Sequence, residues 1–130
     1  MKSSTRTAAA VALATVSIFP AFAETSTLDG RSFEGVFIQR GKTSGDSDTL
    51  LFRDGRFRST ACDRYGYSDA PYRTASAGDV TRFEAETRSP KYGRLVWSGA
   101  IRDGKLDATA TMVRDGQPDN ENWVVAGERR

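Results

Sequence analysis

The residues best equipped for chemistry lie in one stretch, Arg58-Ser59-Thr60-Ala61-Cys62-Asp63-Arg64-Tyr65-Gly66-Tyr67. It sets the chain's single cysteine beside cations, an acid and two phenols. A cation such as Arg64 favours a thiolate, and Asp63 opposes that effect. The chain has no histidine, so the usual general base and the commonest metal ligand are both missing. Cys62 is then open to four readings: a buried structural thiol, a redox or intermolecular bond, a metal or cofactor ligand, or a covalent nucleophile. One thiol with Met112 elsewhere offers too few soft donors for a closed site, so neither a metal nor a cofactor is assigned.

Other polar groups divide in the same way. Glu34, Glu84, Glu86 and Asp107 could pair for glycoside hydrolysis, but Glu84, Glu86 and Asp107 fall on the outward side of their strands. Asp46-Ser47-Asp48 and residues 115–121 are rich in oxygen yet lack the ligand spacing of a calcium loop, and read as solvated turns. Tyr65, Tyr67, Tyr72 and Tyr92, with Arg64 and Arg73, sit in or beside loops. Such tyrosines either anchor a partner or plug the end of a barrel. There is no phosphate-binding loop, dinucleotide fingerprint, C-x-x-C pair or zincin helix.

Two features of the whole chain narrow the setting. Residues 1–6 carry Lys2 and Arg6 without an acid, residues 7–19 are uncharged, and Ala21-Phe22-Ala23 is a small-residue site before Glu24. That order predicts a secretory signal peptide over residues 1–23 and a single domain over 24–130. The apolar run is too short for a spanning helix, so no integral membrane segment is expected. Of 19 Lys and Arg residues two leave with the signal, so the remaining domain carries 17 cations against 17 acids. A balanced, interspersed charge argues against nucleic acid as a partner. With one cysteine left, no intrachain disulfide can form, and packing must supply the stability.

The elements that must position these groups are short and alternating. Strands are expected at residues 32–39, 50–53, 56–60, 80–87, 93–101, 106–112 and 122–128, with polar or irregular loops at 41–48 and 66–78 and a short extended piece near Tyr72. Asp54-Gly55 and Asp103-Gly104 are hairpin turns, because both central positions of a type I′ turn need positive φ. The fold class is all-β: an antiparallel meander of seven or eight strands that closes into a small barrel and so removes its edges. Phe83, Leu95, Trp97, Ile101, Leu106 and Trp123 are expected inside, with Gly127 on the inward row of the last strand. Gly35, Gly99, Ala85, Ala108 and Ala110 face the large aromatics, which fits either a tightly filled core or a ligand cavity.

The stretch Leu50-Leu51-Phe52-Arg53-Asp54-Gly55-Arg56-Phe57, followed by Cys62-Asp63-Arg64-Tyr65-Gly66-Tyr67 and Tyr72, resembles the META/HslJ-like domains, small barrel-like domains often found in bacterial envelope proteins. Asp63 and Ala61 stand where that family usually has asparagine and glycine. The second half, from Val80 through Trp97 and Gly99 to Gly127, is similar to exported lipocalin-like (calycin-like) barrels. Neither resemblance implies a reaction; both imply an envelope binding, inhibitory or stress-related module. The expected function is therefore a non-enzymatic periplasmic or secreted binding module for a small apolar molecule or a protein partner. Arg64, Tyr65, Tyr67, Tyr72, Trp97 and Trp123 are its candidate binding residues, and Cys62 is a structural or reactive thiol. The alternative is an inhibitor or structural domain that presents the loop 62–72 to an exported hydrolase.

Overall fold

The computed structural model describes residues 22–24 and 27–130. The expected signal peptide thus falls almost wholly outside the described residues. Nine strands follow in order: β1 (Ala23–Glu24), β2 (Ser32–Ile38), β3 (Asp46–Arg53), β4 (Arg56–Ser59), β5 (Ala70–Ala77), β6 (Val80–Ser89), β7 (Gly93–Arg102), β8 (Lys105–Val113) and β9 (Asn120–Glu128), with a 3₁₀ helix at Thr60–Tyr65. From β2 to β9 each strand pairs antiparallel with the next, and β9 returns to β2, so eight strands close into an up-and-down barrel. No described helix is long and apolar enough to cross a membrane.

Local chemistry sets the tight turns. Asp54 and Gly55 both have positive φ, as do Asp103 and Gly104, and each pair joins its strands with no spare residue. Gly78 leads a third two-residue turn between Ala77 and Val80. The middle of the barrel is solid. Phe52 meets Phe33, Phe57, Tyr72 and Phe83 at centroid distances of 6.0, 5.3, 5.0 and 5.1 Å. Trp97 packs on Phe57 at 4.8 Å and donates its indole N–H to Thr87 Oγ1 at 3.1 Å. The small inward residues make room for these rings: a Cβ on Gly99 would lie 2.9 Å from Ala108 Cβ and 3.0 Å from Phe83 Cζ. Across this layer the filled-core alternative holds.

One end of the barrel is shut. Leu28 is fully buried beneath the turn at residues 27–30, and its N–H donates to Tyr72 Oη at 3.2 Å. Tyr72 in turn donates to Asp29 Oδ1 at 2.6 Å, while Asp29 also accepts from the Gly55 N–H at 3.0 Å. Burial, then the Asp29 carboxylate, pushes the Tyr72 phenol well above its ordinary value. The chain's entry into β2 is thereby locked to the β3–β4 hairpin.

Three expectations need correction. The irregular loop over 66–78 contains an eight-residue strand, β5, whose inward Ala70, Tyr72 and Thr74 alternate with exposed Pro71 and Arg73. Pro71 and the small Ala and Ser residues hide that alternation. Beyond β4, which is only four residues long, β5 is flanked instead by β1, through Ala23 opposite Thr74 and Glu24 opposite Arg73. The expected loop at 41–48 ends earlier, since β3 begins at Asp46. Finally, β9 shows the opposite face: Asn122, Val124 and Ala126 are buried, whereas Trp123 is 41% and Val125 53% exposed. Gly127 is likewise exposed. Both faces of this strand are apolar, so alternation does not choose between them. Pairing does: Val124 opposes inward Ala108 and Ala126 opposes inward Leu106, and directly opposed residues share a face.

Candidate functional site

The other end of the barrel is open, and its rim is built by the 3₁₀ helix, the segment 66–69, the turn at 90–92 and the loops at 39–45 and 114–119. The helix and the segment that follows it are tied down. Asp48, 3% exposed on the inner face of β3, accepts from Ser59 Oγ at 2.6 Å and from the Ala61 N–H at 3.0 Å, so a neighbouring strand caps the helix that Ser59 itself does not cap. Gly66 ends that helix in the left-handed region, and its N–H returns to the Asp63 carbonyl at 2.9 Å. Arg58 grips Asp63 and Arg64 holds Asp46, at 3.0 and 2.9 Å. Ser89 Oγ donates to the Tyr65 carbonyl at 2.7 Å, and the Ser68 N–H to the Arg88 carbonyl at 3.2 Å, which fastens the segment to the top of β6.

These elements surround a hollow of about 240 Å³. Phe37, Leu95 and Met112 form its inner wall from β2, β7 and β8. Tyr65, Tyr67 and Tyr92 line it on the rim side; Tyr65 and Tyr92 meet edge to face at 5.7 Å. Ala61 and Cys62 supply a further wall, while Gln39, Asp46, Asn120 and Asn122 add polar groups. Asn122 is spent on the fold, with Nδ2 donating to the Ala110 carbonyl at 3.1 Å. A hollow on the outer wall of β5–β7 is larger, about 420 Å³, but Arg73, Glu84, Glu86 and Arg94 around it already form ion pairs with one another.

Cys62 is 5% exposed and its thiol is pushed up to about 11, first by burial and further by the carboxylates of Asp48 and Asp63, against the Ser59 hydroxyl and Arg64. Ser59 Oγ lies 3.3 Å from Sγ and 2.6 Å from Asp48 Oδ2. A hydroxyl has one proton to give, and the carboxylate takes it. The thiol thus keeps its own proton, and Arg64, paired with Asp46, only slightly offsets the effect of burial. Alkylation of Cys62 in the folded protein at pH 8 should be slower than in denaturant by at least about a hundredfold, the thiolate fraction implied by two pKa units. The sign carries to stability: the protonated thiol favours the fold fully below about pH 9, and that contribution is lost as pH rises through 11. Labelling at the rate of a free thiol would overturn the buried assignment.

The structure gathers Cys62, Arg64, Tyr65 and Tyr67 at this mouth. Arg64 lies over the Tyr65 ring at 5.1 Å on the rim. The other three candidates go elsewhere. Tyr72 is in the closed end, Trp97 lies in the solid layer against Phe37 at 6.1 Å, and Trp123 faces outward from β9. Sequence reasoning missed Phe37, Leu95, Met112 and Asn122 as a wall, and read Asp48 as a solvated loop oxygen. The alternation of β2, β7 and β8 identifies the first three as inward; only barrel closure makes them neighbours of Tyr67. No group of three or more potential metal-binding Cys, Asp or Glu side chains occurs among the described residues. No family model matches the chain, and neither the curated proteins nor the solved structures contain a match to it.

Proposed function

We propose that this protein is a non-enzymatic binding module and that the open mouth of its barrel takes a small, largely apolar molecule. The observation that carries the reading is the 240 Å³ hollow with apolar walls from three strands and tyrosines on the rim side, on an otherwise solid barrel. A concave, mostly apolar site with few polar groups is the usual form of a small-molecule pocket. A cavity of about 150 Å³ accepts benzene, so this one suits a ligand of about ten non-hydrogen atoms. The reading in which the loop 62–72 is offered to a hydrolase draws less support, since Cys62, Tyr67 and Tyr72 all turn inward. The signal-like residues 1–23 support a periplasmic or secreted setting, which the intact mass of the protein recovered from an envelope fraction would test.

Filling the hollow tests the proposal. Met112→Trp, at the half-buried end of β8, should weaken binding of a small aromatic probe such as α-methylstyrene by about tenfold or more while leaving the melting temperature nearly unchanged. Amide shifts in the wild-type titration should centre on Phe37, Tyr92 and Leu95. Shifts centred on the outer wall near Trp123, or binding indifferent to the bulkier side chain at position 112, would defeat it.

A further inference from the structure

We propose that Tyr67 is the specificity determinant of the barrel mouth, and that the ligand is an uncharged molecule whose hydrogen-bond acceptor receives the Tyr67 hydroxyl proton. This rests on the mouth being the binding site. Tyr67 is 7% exposed and lines the hollow, yet its Oη has no hydrogen-bond partner in the fold. It is the one buried side-chain oxygen or nitrogen so left among the described residues. Such groups are rare in native proteins and call for a physical account.

The rest of the barrel shows how differently its buried polar aromatics are treated. The Tyr72 hydroxyl both donates to Asp29 and accepts from Leu28 N–H, and the Trp97 indole donates to Thr87. The orphan is therefore confined to the hollow. The other polar groups of the mouth do not reach it: the Asn122 Oδ1 accepts from the Arg40 N–H, the Asp46 carboxylate holds Arg64, and Gln39 and Asn120 line the same hollow without bonding Tyr67. Burial, with the neighbouring Cys62, holds the phenol above its ordinary value, so the group presents an O–H at neutral pH. A donor without an acceptor selects for an acceptor, because a bound molecule lacking one leaves the hydroxyl buried and unpaired. Charge is disfavoured on related grounds: the inner wall of Phe37, Leu95 and Met112 is apolar, and the Asp46 carboxylate and the Arg64 guanidinium at the rim are already paired with each other, so an ion seated against that wall would lose hydration.

The test uses two near-isosteric probes, acetophenone and α-methylstyrene, which differ by a carbonyl oxygen in place of a methylene. Their dissociation constants are measured on the wild-type protein and on Tyr67→Phe. The ratio between the two probes should shift by about tenfold on the substitution, entirely through weaker acetophenone binding. Tyr67→Phe should melt at the same temperature or higher, since it removes an unpaired hydroxyl and keeps the ring. An unchanged ratio with both probes bound at the mouth would overturn the role of Tyr67 and leave the site standing. Failure of both probes to bind the wild-type mouth would remove the site, and this inference with it.

Discussion

Phe52→Ala should cost about 3–5 kcal/mol of folding stability, the usual range for deleting a buried aromatic side chain. Phe52 is 1% exposed and touches four other rings, so no single neighbour can move in to fill the space without abandoning its own contacts. For a domain of this size a loss of that order lowers the melting temperature by on the order of 20 °C. Thermal and urea denaturation followed by far-ultraviolet dichroism would measure it. A loss below about 1 kcal/mol would show that the aromatic layer is not the core. The mouth gives a contrast: Met112 is only partly buried there, and trimming it to alanine removes fewer contacts.

Gly35→Val should be comparably damaging, by about 3 kcal/mol or more, for a reason specific to barrel closure. Gly35 in β2 opposes Ala126 in β9, and a Cβ built there collides with the Val125 carbonyl oxygen and lies 2.5 Å from Ala126 Cα. The obstruction is backbone, so no rotamer change relieves it. The two strands must separate or slide. The expected signature is local as well as global: amide exchange should accelerate in β2 and β9 while β6, β7 and β8, which pair with one another over nearly their whole lengths, keep more protection. Equal loss of protection in all strands would argue that Gly35 is not a closure point.

What could be read from residue order alone followed how local the cause was. The Asp-Gly turns depend on two residues' backbone preferences, and both formed as expected. The inward rows of β6, β7 and β8 depend on alternation, and Phe83, Leu95, Trp97, Ile101 and Leu106 are inside. The face of β9 depends on which strand it meets and in what register, because Trp123-Val124-Val125-Ala126 is apolar throughout. β5 was obscured by Pro71 and by small residues whose burial comes only from neighbours. At the site, Cys62 through Tyr67 stood out by composition, but the burial of Asp48 follows from Ser59 and Ala61, which are eleven and thirteen residues along the chain. The unpaired Tyr67 hydroxyl is the product of every group around it, and no spacing encodes that.

The pairing of β2 with β9 also governs when the molecule can be finished. Its ladder joins Phe33 to Glu128 and Ile38 to Trp123, and is bolted by Arg31 on Glu128 at 2.7 Å and by the Arg129 N–H on the Ser32 carbonyl at 2.9 Å. These are the contacts most distant along the chain among the described residues, and a ribosome delivers β9 after the eight other strands. Until it arrives, β2 and β8 present unpaired backbone to whatever other strands are nearby. Closure must also bear the chain entropy of bringing such distant segments together. A nascent molecule is thus an open sheet with two adhesive margins for most of its emergence, and its final nine-residue strand acts as the zip that makes it a barrel.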